Sequence, residues 1–306
     1  MILRPGRDAD AEGFIALIGA CWAEYPGCVL DVDGEVPELR ALASYFAEAG
    51  GALWAAEEAG EVIGMVGTRP LGDDAAWEIC RMYVAARHRG TGLAHLLLDL
   101  AEAHARAAGA RRLVLWSDTR FDAAHCFYEK RCYVRQGAIR ILDDLSKSLE
   151  FRYAKPATGL VVEMLDAAAA GSAERRLAAI QARCGAEAAP AFWRRVTGEV
   201  ATGQRLLLVA WLEGRLVGTV QVETAAPPHR GRISLLLVDP AERRRGVGRA
   251  LLQAVERCGR RLLTLECPAG SAAEALIRGL GWQEAGRIPG YGPDREDVVF
   301  FYKALG

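Results

Sequence analysis

Between Met82 and Ala94 the chain reads Met-Tyr-Val-Ala-Ala-Arg-His-Arg-Gly-Thr-Gly-Leu-Ala, residue types suited to holding an anion. A strand pattern ends on Met82, Tyr83 and Val84, and a basic loop of Arg87, His88 and Arg89 follows. Gly90 and Gly92, separated by Thr91, lead into a helix pattern that opens on Leu93 and Ala94 and continues through His104. Glycines carry no Cβ, so backbone N–H groups can close on a ligand. The first N–H groups of a helix lack internal partners, and the helix dipole favours negative charge there. A pyrophosphate fits such a cradle, although an ordinary strand-to-helix turn has the same local look. The order then recurs. Leu237 and Val238 end a strand, and Arg243, Arg244, Arg245, Gly246, Val247, Gly248 and Arg249 follow. Two copies in matching surroundings favour the ligand.

Upstream of the first cradle stands Glu78, six positions before Val84. An even separation along a strand puts two side chains on one face. A primary amine has a pKa of about 10 and arrives protonated at neutral pH. A carboxylate beside it, acting directly or through water, can take that proton.

Both cradles fit Arg-x-x-Gly-x-Gly, as Arg87/Gly90/Gly92 and Arg243/Gly246/Gly248. This resembles the acetyl-CoA signature of the GNAT superfamily of N-acetyltransferases, and the likeness spans nearly the whole chain as two tandem copies. A dinucleotide fold sets its glycine loop after the first strand of a βαβ unit, whereas about eighty residues precede the first cradle here. The resemblance implies tandem α/β folds, each a mixed, mostly antiparallel sheet flanked by helices. It implies acetyl-CoA as the cofactor and the amine of a small molecule as the acceptor. It puts Glu78 where such enzymes often carry their general base. The segment from Ala123 to Tyr133 resembles the family's Phe-Tyr-Glu-x-x-Gly-Phe/Tyr helix, which implies Tyr128 as the general acid toward the CoA thiolate; Cys132 stands at the usual glycine. His125, one turn earlier, reads as helix surface or a supporting contact. Asp118 reads as an anchor for the amine or as a cap.

In the second copy Arg232 and Ile277 stand at the points matching Glu78 and Tyr128. Neither can do the same proton transfers, so this copy is expected to bind CoA but to be poor at chemistry. Its ending, Gly281 to Tyr291 and then Phe300 to Lys303, resembles that of tabtoxin-resistance-type acetyltransferases. The alternative for the whole chain is a non-catalytic acyl-CoA-binding sensor or regulatory module, against which Glu78 and Tyr128 argue.

Two separate sheets are needed to position these residues. The chain has 306 residues, 51% hydrophobic and 25% charged, enough for two cores. A net charge of −1 gives no overall basic field to draw nucleic acid. No apolar run reaches the roughly 18 residues of a membrane span, and no signal-peptide pattern opens the chain. Eight cysteines form no Cys-x-x-Cys pair, which predicts reduced thiols and a cytoplasmic setting. Five scattered histidines suggest no metal. A monomer or homodimer is expected.

The patterning predicts domains at 1–154, catalytic, and 160–306, degenerate, joined by a linker from Ala154 to Gly159. In the first, strands are expected at Ile2–Arg4, Ala52–Glu58, Val62–Thr68, Ala76–Val84, Leu113–Trp116 and Leu149–Tyr153. Helices are expected near Ala11–Cys21, capped by Asp8 or Asp10, near Pro37–Ala49, and after Asp122. A turn falls at Gly72, Asp73 and Asp74. The loop from Tyr25 to Glu35 holds Asp31, Asp33 and Glu35, which read as a solvated loop or a lure for a cationic amine. The second copy repeats the order, with helices near Ala173–Arg183 and Pro190–Val200 and a hairpin at Glu213 and Gly214.

Overall fold

The computed structural model describes residues 1–72, 74–185, 189, 191–224, 227 and 229–305. Asp73 of the expected turn and Pro190 of the expected helix lie outside the described residues. The chain divides into two compact units, Met1–Tyr128 with Tyr133–Thr158, and Gly159–Gly306 with Glu129–Cys132.

The first half runs β1 (Ile2–Pro5), α1 (Ala11–Trp22), α2 (Leu42–Glu48), β2 (Ala52–Glu58), β3 (Glu61–Pro70), β4 (Ala76–Val84), α3 (Leu93–Ala107), β5 (Arg112–Asp118), α4 (Asp122–Lys130), β6 (Val134–Arg135), β7 (Arg140–Ile141) and β8 (Leu149–Pro156). Its sheet has the order β1-β2-β3-β4-β5-β8-β6, with β7 beside β8. Among the described residues only the β4–β5 pair is parallel; the others are antiparallel. One face packs Phe14, Ile18, Leu42 and Phe46 of the α1 and α2 side against Ala55 and Met65. The other packs Leu93, Leu97, Leu98 and Ala101 of α3 against Ile63, Ile79 and Leu115.

The second half runs β9 (Leu160–Leu165), α5 (Ala167–Arg183), α6 (Phe192–Ala201), β10 (Arg205–Leu212), β11 (Arg215–Glu223), β12 (Arg230–Val238), α7 (Val247–Glu256), β13 (Leu262–Pro268), α8 (Ala272–Gly279), β14 (Gln283–Ile288) and β15 (Val298–Ala304). The sheet order is β14-β15-β13-β12-β11-β10-β9, again with one parallel pair, β12–β13. Both halves are thus mixed, mostly antiparallel sheets flanked by helices.

Several expectations need correction. The segment from Ala154 to Pro156 is not linker but the buried end of β8, paired to β5. Helix α5 starts at Ala167 rather than Ala173, because Asp166 caps it by accepting from Ala169 N at 2.8 Å. Asp10 precedes α1 but does not cap it; its carboxylate is taken by Arg4 and by the Arg7 N–H. Strand β14, exposed along its whole length, carries no apolar alternation that could have announced it.

The two halves keep a fixed spacing around their cradles. Strand β4 ends at Val84 and β12 at Val238; a 3-10 turn covers Ala86–His88 and Pro240–Glu242; α3 begins at Leu93 and α7 at Val247. Each counterpart lies 154 residues on. A glycine sets how close each helix comes to its sheet. A Cβ on Gly64 of β3 would lie 2.9 Å from Leu97 Cδ1, and one on Gly218 of β11 would lie 2.9 Å from the backbone oxygen of Leu237 and 3.0 Å from Val247 Cγ1. A side-chain end can move aside, whereas a strand carbonyl cannot. Gly218→Ala is therefore expected to destabilise its unit by about 1–3 kcal/mol, the usual range for overpacking, and Gly64→Ala by less. Urea unfolding of the two variants measures the difference.

Candidate active site

Strand β4 does not keep one pleat. Its register against β3 slips by one residue between Cys80 and Tyr83, and Arg81 sits there at φ +52°. This is a β-bulge, and the extra residue turns over every side chain beyond it. Before the bulge Trp77 and Ile79 face the α3 core; after it Met82 and Val84 do. Cys80 and Tyr83 face the α1 and α2 side instead, and Glu78 alternates with Trp77 and Ile79 onto that side. The even count from Glu78 to Val84 therefore misplaces them: they lie on opposite faces. Strand β12 repeats the device, with a slip between Ile233 and Leu235.

The neighbouring parallel pairing is short. Strand β4 pairs β5 only from Ala76 to Glu78, and β12 pairs β13 only from Arg230 to Arg232. Past these residues the strands pair no further, leaving one edge of Ile79–Val84, and of Ile233–Val238, with open backbone groups. Such an edge can hydrogen-bond an extended ligand.

Each open edge leads into its cradle. Gly92 precedes α3 at φ +93°, and Gly246 precedes α7 at φ +84°. Two residues earlier, Gly90 has φ +76° and Arg244 has φ +64°. These pairs set the two cradles two residues away from the register that Arg-x-x-Gly-x-Gly suggests. The counterpart of Gly246 is Gly92, and that of Gly90 is Arg244. Arg89 matches Arg243, while Arg87 matches Ala241. Among the described residues, the backbone N–H groups of Gly90, Thr91, Gly92, Leu93 and Ala94 have no backbone acceptor, nor do those from Arg244 to Gly248. Arg89 is held over the first loop by Glu24 at 2.6 Å and the Val84 carbonyl at 3.3 Å. Arg87 pairs with Glu61 at 2.6 Å.

Glu78 is only 6% exposed. Its Oε2 accepts from Arg69 Nε at 2.8 Å, and Arg69 Nη1 donates to the Tyr45 hydroxyl at 2.6 Å. Its Oε1 accepts no hydrogen bond among the described residues. Tyr128, 8% exposed, packs on α4 against Phe127, Tyr133 and Tyr153. Its hydroxyl has no hydrogen-bond partner among the described residues. Burial, then the nearby Tyr83 and Cys80, push its pKa well above the phenol range. Burial and the Glu78 charge push the Cys80 thiol up to about 12. Cys80 thus lies within electrostatic reach of both Glu78 and Tyr128.

The acetyltransferase (GNAT) family pattern matches residues 17–132 and again 164–282. The chain belongs to the GNAT family. N-acetyltransferase 8F1 of Rattus norvegicus is 28% identical over 116 residues, which are 37% of this chain and 50% of that protein. N-acetyltransferase 8 of the same species is 30% identical over 103 residues, 32% of this chain and 45% of its own. The chain spans about half the length of the curated relatives it matches. A GNAT-family acetyltransferase of Staphylococcus aureus Mu50 is 18% identical, covering 51% of this chain and 98% of its own, with a TM-score of 0.44.

GNAT proteins use acetyl-CoA. The run of open N–H groups, the left-handed glycines and the arginines fit its pyrophosphate in both halves. Other residues singled out in this GNAT chain fall differently. His125 is buried, not surface: Nε2 bonds the Asp118 carbonyl at 2.9 Å and the ring stacks on Tyr153. The Asp118 carboxylate caps its turn by accepting from Arg120 N at 2.9 Å and is also held by the Arg120 guanidinium at 2.5 and 2.8 Å. The three loop acids are all engaged, Asp31 with Gly34 N, Asp33 with Arg40, and Glu35 with Leu145 N.

Arg69 was missed because only strand register reveals it. It pairs directly across from Glu78. The second half inverts this pair: Glu223 lies across from Arg232, their charges 3.5 Å apart. Arg232 also meets Glu266 at 3.1 Å, so it stands between two carboxylates rather than as a lone cation. Ile277 matches Tyr128 structurally. Each is followed five residues on by an N–H that bonds back to its carbonyl, Tyr133 N at 3.1 Å and Trp282 N at 3.3 Å.

The corrected register makes a prediction. With the second cradle disabled by Gly246→Arg, a further Gly90→Arg is expected to keep CoA binding, as Arg244 shows a side chain is accommodated there. Gly92→Arg is expected to lose it, because both halves keep glycine at this point, where the helix N-terminus would receive the phosphates. Calorimetric CoA titration of the two variants decides between the registers.

Proposed function

We propose that the chain transfers an acetyl group from acetyl-CoA to the amine of a small molecule, with the chemistry mainly in the first domain. The observation that supports this reading is that the open Glu78 Oε1 and the unpartnered Tyr128 hydroxyl each lie within electrostatic reach of Cys80 on the bulged strand. The second domain has Arg232 and Ile277 at those points.

Acetyl-CoA supplies, when bound, an acyl group already activated as a thioester. The chain's residues do the rest. The N–H groups from Gly90 to Ala94 and the α3 dipole hold the phosphates. The open edge of β4 aligns the extended part of the molecule. Arg69 fixes one oxygen of Glu78, so the other is presented in one direction. That oxygen accepts the amine's proton, directly or through a water. Tyr128, whose burial keeps its hydroxyl protonated, donates a proton at Oη. Positioning alone supplies part of the rate.

A panel of small amines, with released CoA measured as free thiol, tests the activity. Tyr128→Phe keeps the ring and removes only the proton. It is expected to lower kcat with the best amine about 10²–10⁴-fold while CoA affinity stays level. Gly92→Arg is expected to abolish turnover, and Gly246→Arg to leave most of it. The reverse pattern would move the chemistry to the second domain.

A further inference from the structure

The two cradles share a backbone path but differ in how their cations are paired. In the first, every basic side chain of the loop meets a carboxylate: Arg87 meets Glu61 at 2.6 Å, Arg89 meets Glu24 at 2.6 Å, and His88 lies 3.4 Å from Glu58. In the second, Arg245 pairs with Glu242 at 2.6 Å, and Arg215 takes the other oxygen of that carboxylate. Asp239, at the start of the loop, is held by Arg183 at 2.6 Å. Arg243, Arg244 and Arg249 are exposed, and their side chains have no hydrogen bond or ion pair among the described residues. The two acids of this loop are thus taken, and three cations are left over within a seven-residue stretch.

The surplus sits where it is unfavourable unless an anion is present. Arg249 lies in the first turn of α7, which holds no acidic residue. The helix dipole there favours an anion and disfavours a cation. Arg243 and Arg244 are neighbours in the chain and repel each other and Arg249. Arg244 also keeps φ +64°, a backbone strained for any residue with a Cβ. The first cradle has Gly90 at that point, and its helix opens on the uncharged Leu93 and Ala94. An empty second cradle therefore sets like charges against a helix end of the same sign, and a multiply charged anion relieves both.

CoA carries two kinds of phosphate. Its pyrophosphate suits the open N–H groups from Arg244 to Gly248. Its 3′-phosphate is a monoester, with roughly two negative charges and three acceptor oxygens. We propose that the second cradle recognises the 3′-phosphate through Arg243, Arg244 and Arg249. It then separates CoA from the compound lacking that group, dephospho-CoA, whereas the first cradle binds the two alike. The proposal rests on the acyl-transfer reading only in taking CoA as the ligand of both cradles. Arginines that are merely solvated are the competing explanation, and they give no difference between the two compounds.

The test is calorimetry on the full chain with one cradle closed at a time, the fold of each variant being checked by circular dichroism. Gly92→Glu or Gly246→Glu strains a left-handed position and sets a carboxylate against the phosphates. In the Gly92→Glu chain, dephospho-CoA is expected to bind the second cradle about 10-fold more weakly than CoA at low salt, the lower end for one charge-assisted hydrogen bond. The ratio is expected to shrink as salt rises, because exposed charges are screened. In the Gly246→Glu chain the two compounds are expected to bind the first cradle with equal affinity. Arg244→Gly combined with Arg249→Gln is expected to remove the second cradle's preference while CoA still binds. Gly90→Arg in the Gly246→Glu chain is expected to create a preference in the first cradle, a gain that no loss of folding can mimic. The same ratio at both cradles would overturn the proposal. So would a preference that persists in the double arginine variant or ignores salt, or a second cradle that binds neither compound in a folded chain. None of these titrations involves an acceptor or turnover, so the roles of Glu78 and Tyr128 stand or fall separately on their own kinetics.

Discussion

A strand packed on both faces cannot turn a side chain over without changing its count of residues. In β4 the bulge at Arg81 makes that change. It lets Trp77 and Ile79 anchor the strand to the α3 core, hands the same core to Met82 and Val84, and sends Glu78, Cys80 and Tyr83 to the other side. The divergence of β4 from β5 begins just before it. One face then packs against α3 and the other against the α1 and α2 side.

The polar groups at this junction survive burial because each is matched. Glu78 would be costly in its pocket without Arg69, and Arg69 without Glu78 and the Tyr45 hydroxyl. Asp118 is similarly held by Arg120. The arrangement fixes side chains in single directions, which suits a site where one oxygen must point at a ligand. Tyr128 is the exception: its hydroxyl is left without a partner in a setting that keeps it protonated.

Much of this was legible in the sequence. The strand from Ala76 to Val84 was bounded to the residue, and the tandem repeat followed from the glycine stretches and the order of apolar patterns. What escaped depends on pairing between strands, which one-dimensional periodicity does not encode. The bulge is hidden because every residue from Ile79 to Val84 except Arg81 is apolar, so the pattern fits either face. The two-residue slip in aligning the cradles arose because Arg-x-x-Gly-x-Gly occurs in each, yet Arg244 adopts the left-handed backbone that Gly90 adopts in the other. Counting glycines favoured the wrong match; the buried faces of α3 and α7, Leu93, Leu97 and Leu98 against Val247, Leu251 and Leu252, carry the right one. Arg69 was invisible until β3 was set beside β4.

The inverted pair, Arg69 with Glu78 in one half and Glu223 with Arg232 in the other, limits how the halves can exchange parts. Moving β12 alone into the first sheet would set two arginines opposite each other, and the reciprocal move would set two glutamates opposite each other, an arrangement that destabilises a ladder. Moving the β3–β4 hairpin whole, or β11–β12 whole, keeps this cross-strand pair matched. The interchangeable module of this duplicated protein is thus the two-stranded hairpin, and a recombination boundary is tolerable at its ends but not at its turn.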